Sequence, residues 1–261
     1  MTDNHDSRRH DGTFEGHDSR QHVGTLPGVD RRGFLRLGVA GGLASVAAAC
    51  GWDGGNAVRP LLLDVSRFND WMGEKIFFSK NRLAPQYDIA ERTPHLPSYF
   101  ISPTMPLLES PSAWRLQVGG LVREPQTLSL EQLQAMPRTG YTVKHHCVEG
   151  WSAIATWHGV PVSAVAARCG MLPQARYVRF DSFDSGYSNG WDLASAMHPQ
   201  TILAYGMNDN SLSPTHGAPL RLYSPTKLGY KMTKYLVSLT FTYERHGGYW
   251  EDQGYPWFGG V

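Results

Sequence analysis

Cysteine is scarce: Cys50, Cys147 and Cys169 are the only three in 261 residues. That is too few for a disulfide scaffold in a chain of this length, and no Cys-x-x-Cys pair offers a zinc ribbon. No Cys-x-x-Cys-His segment is present for covalent haem attachment. No Gly-x-Gly-x-x-Gly follows a strand-like run, which excludes the dinucleotide-binding fold. Charge of one sign is lacking too. Lys and Arg number 24 against 23 Asp and Glu, a net charge of +1, so bulk electrostatics give no reason to expect nucleic acid or an anionic membrane as partner. The apolar run from Leu37 to Ala49 falls short of the ~20 residues of a membrane span, and small residues make it weakly hydrophobic. There is no internal repeat.

What is present points to a turn-rich, strand-rich fold with a real core: 28 glycines, 17 prolines and 41% apolar residues. Residues 1–50 read as an address. Residues 1–30 are polar, with His5, His10, His17 and His22 at no zinc-binding spacing, and are expected to be a disordered tail. Asp30-Arg31-Arg32-Gly33-Phe34-Leu35-Arg36 then precedes the short apolar run, the pattern of an export signal resembling the twin-arginine type. The signal ends at Ala47-Ala48-Ala49-Cys50. Two outcomes compete there: cleavage after Ala49, or lipidation of Cys50 in a degenerate lipobox. Export of an already folded chain suits an enzyme that receives a cofactor before leaving, so a periplasmic or otherwise extracytoplasmic location is expected.

Residues 51–261 are expected to form one α+β domain. Residues 51–110, rich in proline, read as irregular structure that wraps the domain. Trp114 to Val118 alternates into Gly119-Gly120 as a strand. Ser129 and Gln132 make a capping box for a helix that stops before Pro137. Pro161 to Cys169 reads as a helix closed by Gly170. Tyr177–Phe180, Thr201–Tyr205, Leu220–Tyr223 and Tyr235–Tyr243 read as strands, and Asp192 to His198 as a short helix.

Reactive groups concentrate in Lys144-His145-His146-Cys147-Val148-Glu149-Gly150-Trp151-Ser152. A cysteine here could be an inert core residue, a nucleophile or a metal ligand. Zinc would want further ligands at motif spacing, which are missing. A soft thiolate could instead fill one position on a metal whose other ligands come from a cofactor.

The segment His146 to Ser152, followed by Trp157-His158-Gly159-Val160-Pro161-Val162, resembles the metal-binding region of sulfite oxidase family molybdoenzymes. Downstream, His216-Gly217-Ala218-Pro219-Leu220-Arg221, Lys227 to Lys234, and Gly248-Tyr249-Trp250-Glu251 with Gly254-Tyr255 continue the similarity in consistent order. The resemblance implies a sulfite oxidase-type molybdopterin-binding domain with mixed sheets and short helices, and a molybdenum–molybdopterin cofactor. It implies Cys147 as the metal ligand, with Glu149 placed for proton transfer beside it. Asn81, Arg82, His146, Ser182, His216, Arg221, Lys231, Met232 and Lys234 are then the expected cofactor contacts. Arg221 would give a planar fork, and Lys231 and Lys234 point charges. Tyr187 and Trp191 could line the substrate mouth or simply pack. Cys169 is expected in the core, since a Cys147–Cys169 disulfide would destroy the ligand.

The implied activity is two-electron redox or oxygen-atom transfer. Its direction is expected to be reduction of sulfoxides, protein methionine sulfoxide among them. Sulfite oxidation is the alternative, with Arg179 as a candidate anion-binding residue, and a non-catalytic cofactor-binding protein is a third reading. The chain resembles the minimal branch, without room after residue 261 for a dimerisation domain. A monomer is expected, exchanging electrons with a separate haem membrane protein or soluble cytochrome.

Overall fold

Two five-stranded sheets, one mixed and one antiparallel, carry the domain. They are seen in a computed structural model that describes residues 54–108, 110–184 and 186–261. The tail, the export signal and Cys50 lie outside the described residues. From Arg59 to Val261 the chain forms one compact unit.

The first sheet contains β1 (Leu116–Gly120), β2 (Gln126–Leu128), β5 (Tyr177–Ser182), β6 (Ser188–Asp192) and β10 (Leu236–Thr242). Its order is β2-β1-β10-β5-β6. The β1–β10 pair is parallel and its other pairs are antiparallel. The second sheet contains β3 (Thr139–His146), β4 (Ser152–Pro161), β7 (Ile202–Met207), β8 (Asn210–Ser211) and β9 (Arg221–Tyr223), with β3-β4-β7-β8 in order and β9 beside β7.

Alternation along the strands divides the core. Ile202 and Ala204 of β7 join Val143, Trp157 and Tyr223 in one buried cluster. Leu203 and Tyr205, pointing to the other face, join Leu116, Val178, Phe180, Leu239 and Phe241 from the first sheet in a second cluster. In β10 the pairing with β5 slips between Leu236 and Ser238. This bulge makes Val237 the extra residue and brings Leu236 into the same buried cluster as Leu239 and Phe241, which strict alternation would not do.

The short helices are where the sequence places them. Helix α2 (Leu130–Gln134) has the full Ser129–Gln132 capping box, and α3 (Val162–Arg168) follows Pro161 directly. Helix α4 (Leu193–Ala196) is capped by Asp192, whose Oδ1 accepts the Ser195 N–H at 2.7 Å.

One reading needs correction. Residues 51–110 are not wholly irregular, because α1 (Gly54–Met72) runs through them and continues into a π-helical turn, Gly73–Phe77. Leu61, Val65, Phe68 and Met72 recur at helical spacing, and that period outweighs Pro60, which removes only one backbone donor. Strands β2, β3, β4, β6 and β8 are not among the strands read from the sequence. In β3 and β4, Thr142, Lys144, His146, Thr156 and His158 share one face, and His145 on the other adds to them in blurring the apolar alternation.

Candidate active site

The β3–β4 hairpin presents Cys147. Its N–H donates to Trp151 O at 3.0 Å, and Gly150 N–H donates to Cys147 O at 3.1 Å. This tight return needs φ of 92° at residue 150, which glycine adopts without strain. A cavity of about 440 Å³ opens beside the sulfur.

Of the residues expected at the site, Cys147, Glu149, Ser182, His216, Arg221, Met232 and Lys234 line this cavity, and Tyr187 joins them. The cavity takes His145 rather than His146. Successive residues of β3 point to opposite faces, so Cys147 and the residue two before it share a side. Asn81 and Arg82 are exposed and do not line it. Lys231 does not reach it either. Its ammonium is buried, donating to Gly190 O at 3.0 Å and to a carboxylate oxygen of Glu251. Trp191 lies in the core, its indole N–H donating to Lys231 O at 2.9 Å. Arg179 pairs with Asp181 at 2.7 Å and does not line the cavity. Cys169 is a free thiol in the core.

Sequence reasoning missed His145 and Asp184, and it saw Tyr249, Trp250 and Tyr255 only as a motif. His145 was findable by counting two back from Cys147 once β3 is recognised. Asp184 carries no local signal: its carboxylate accepts from Ser102 Oγ and Ile101 N–H, far away in sequence.

Electrostatics at the site follow from burial. Burial pushes the Cys147 thiol up, the Glu149 carboxylate adds to this, and the backbone N–H groups of Glu149 and Val148 oppose it. A carboxylate oxygen of Glu149 sits 3.7 Å from the sulfur and accepts the Trp151 indole N–H at 3.0 Å. Burial, then the Arg221 charge, lower His145 to about 3 and His216 to about 4, so both rings are neutral at pH 7. Gly229 makes room for the His145 ring: a Cβ there would stand 2.9 Å from Nε2.

Arg221 is buried, and burial lowers it to about 10. It donates to His216 O at 3.0 Å and lies over the Trp157 ring at 4.8 Å. No carboxylate among the described residues pairs with it. Lys234, lowered to about 7 by burial and by Arg221, meets only neutral oxygens of Ser98, Tyr99 and Thr215. A buried cation without a counter-ion is costly, and an anion entering the cavity would offset that cost.

With this cavity and its single cysteine sulfur beside one mixed and one antiparallel sheet, the chain has the make-up of a cofactor-binding domain, and it belongs to the oxidoreductase molybdopterin binding domain family, which matches residues 103–250. Among relatives, the putative protein-methionine-sulfoxide reductase subunit YedZ1 of Azospira oryzae is 39% identical over 232 residues, covering 88% of this chain and 87% of that protein. The uncharacterized oxidoreductase YuiH of Bacillus subtilis is 34% identical, covering 70% of this chain and 96% of its own. The protein-methionine-sulfoxide reductase catalytic subunit MsrP of Campylobacter jejuni is 31% identical over 155 residues, and the chain spans about half (52%) of its length. The sulfane dehydrogenase SoxCD of Paracoccus pantotrophus shares the fold, with TM-score 0.51 and 23% identity over 53% of this chain and 40% of that one. The chain is thus a molybdopterin-dependent oxidoreductase.

The residues present fit that cofactor. The cavity supplies one soft sulfur, an unpaired buried guanidinium for an anionic group, and a buried donor or acceptor, His145 Nδ1, with no partner among the described residues. The bound cofactor supplies two-electron redox and oxygen-atom transfer chemistry. Cys147 could hold the metal, and Arg221 and Lys234 could neutralise the cofactor's negative charge. Glu149 could carry a proton at the oxygen that faces the sulfur. Tyr249, Trp250 and Tyr255 give part of the cavity wall an aromatic surface.

Proposed function

We propose that this enzyme reduces sulfoxides, including methionine sulfoxide in proteins, with Cys147 binding molybdenum. Asn81, Arg82, His146 and Lys231 then act outside the immediate cavity wall, while Ser182, His216, Arg221, Met232 and Lys234 contact the cofactor. The observation that carries this reading is the composition of the cavity wall. Tyr99, Phe100, Trp151, Tyr187, Tyr249, Trp250 and Tyr255 line it, and among the described residues its only arginine and lysine are Arg221 and Lys234. Aromatic walls favour a neutral, polarisable sulfur group over a small dianion, which would need several converging cations. The position of Arg179, paired with Asp181, weakens the sulfite alternative. The relatives named as methionine-sulfoxide reductases support the same direction.

Residues 1–50 serve in this reading as a twin-arginine signal, the enzyme works outside the cytoplasm as a monomer, and Cys50 is either removed or lipidated. Electrons come from a separate haem membrane protein or soluble cytochrome. The test is steady-state turnover of the cofactor-loaded enzyme. Reduced viologen is supplied with free or peptide-bound methionine sulfoxide, and an oxidising dye with sulfite. Sulfoxide-dependent viologen oxidation without sulfite oxidation is expected. Sulfite turnover with no sulfoxide turnover would reverse the assignment.

A further inference from the structure

Helix α1 has one face fixed to the domain and the opposite face turned away from it. On the inner side, the Asp70 carboxylate accepts the N–H groups of Phe258 at 2.8 Å and Gly259 at 3.1 Å. Phe78, just past the π-helical turn, packs edge-on against Phe258 at 5.5 Å. Leu63, Ser66 and Gly73 are partly covered on this side.

The outer side is apolar. Leu61, Val65 and Phe68 recur at intervals of four and three and so form one stripe, with Leu62 on its flank towards the domain. Leu61 is 64% exposed, Phe68 57% and Val65 48%. Trp71, half exposed, stacks on Phe68 with ring centroids 5.9 Å apart. A soluble domain that turns its largest apolar side chains outward in a continuous stripe has a partner for them. Among the described residues no helix is long and apolar enough to cross a membrane, so this helix could lie on a bilayer rather than span it.

We propose that α1 is an interfacial helix that seats the enzyme on an anionic lipid surface. Three features select lipid. First, large apolar and aromatic side chains form the stripe, and tryptophan favours the headgroup boundary. Second, Arg59, Arg67, Lys75, Lys80 and Arg82 outnumber Asp64, Asp70 and Glu74 by five to three from residue 59 to residue 82; Arg67 and Lys75 pair with Asp64 and Glu74, and Arg59, Lys80 and Arg82 are exposed at the two ends. Such charges add to binding at an anionic surface and make it sensitive to salt. The overall charge of +1 conceals this local excess. Third, α1 begins at Gly54, close behind Cys50, so in the extracytoplasmic reading it is the first element beyond the signal. The inner-face bonds of Asp70 hold the domain to the helix, and seating it would bring the enzyme close to a membrane-bound electron donor.

The test is co-sedimentation with lipid vesicles. It uses the cofactor-loaded full chain carrying Cys50→Ala, which removes any lipid anchor, with and without Leu61→Glu and Phe68→Glu together. Comparing the two chains isolates the stripe whatever happens at the N-terminus, and sedimentation does not depend on which substrate the enzyme turns over. The Cys50→Ala chain is expected to bind phosphatidylcholine vesicles containing phosphatidylglycerol and to bind less as salt rises. The double glutamate change is expected to lower partitioning by about tenfold or more, with molybdenum content unchanged. Should the glutamates reduce molybdenum content, Phe68→Ala with Trp71→Ala is the milder pair, expected to lower binding in the same direction. Failure of the Cys50→Ala chain to sediment with any vesicle would overturn the proposal. So would equal binding by the chains with and without the stripe. Binding to native membranes but not to pure lipid would assign the face to a membrane protein and overturn it as well.

Discussion

Replacing Glu251 by alanine leaves the Lys231 ammonium buried without its carboxylate. The two side chains are only 1% and 4% exposed, so water does not substitute for the lost partner. Breaking a buried pair from one side costs ~3–5 kcal/mol, because the remaining charge stays uncompensated. Lys231 keeps its bond to Gly190 O at 3.0 Å and lies 5.3 Å from the Trp257 ring, so a loss near the lower limit, about 3 kcal/mol, is expected. For a chain of this size each kcal/mol lowers Tm by about 2–4 °C, which gives a drop of about 6–12 °C. Glu251→Gln keeps a neutral acceptor and should cost about half as much. Lys231→Met combined with Glu251→Leu removes both charges and should recover most of the loss. Urea unfolding followed by tryptophan fluorescence measures all four proteins. A Glu251→Ala loss below about 1 kcal/mol, or a double variant no more stable than the single one, would refute the reasoning. Tyr249, Trp250 and Tyr255 belong to the same segment and wall the cavity, so Glu251→Ala should also raise KM more than it lowers kcat.

Three shorter expectations concern the cavity wall. Arg221→Met removes a buried cation that has no carboxylate partner, so the cofactor-free protein should be as stable as wild type or more so by urea unfolding, while the pterin content of the loaded enzyme falls. His216 has a folded pKa of about 4 against 6.5 ordinarily, so between these values the unfolded chain binds its proton and the folded chain does not. Stability of the cofactor-free protein should therefore fall as pH drops from 6.5 towards 4, by roughly 2 kcal/mol after allowing for partial exposure, and His216→Asn should flatten that part of the pH profile. Gly229→Ala places a methyl group against the buried His145 ring and should cost about 1–3 kcal/mol in chemical unfolding.

Local signals in this chain were legible and distant pairings were not. The Ser129–Gln132 box and the Pro161 start each act within one turn of helix, and both helices form there. The alternation of β10 is legible as well, but the bulge at Val237 depends on β5, far away in the chain. Cys147 stood out because its segment concentrates reactive groups. Choosing between His145 and His146 required knowing that β3 is a strand, and the polar face of β3 hid that. Lys231 has the charge expected of an anion-binding residue, yet its partner Glu251 comes twenty positions later and nothing local marks the pairing. Helix α1 was missed for the opposite reason: its period is present, but the many prolines that follow it drew the whole of residues 51–110 into one irregular reading.

The central claim is that the Cys147 sulfur binds molybdenum, and metal analysis combined with Mo(V) electron paramagnetic resonance tests it most directly. The chain is produced together with the cofactor synthesis machinery, as wild type and as Cys147→Ala. The wild type is expected to carry molybdenum and to give a Mo(V) signal on partial reduction, with Cys147→Ala losing or altering that signal while the protein stays folded. Wild-type protein without molybdenum, or an identical signal from Cys147→Ala, would contradict the account.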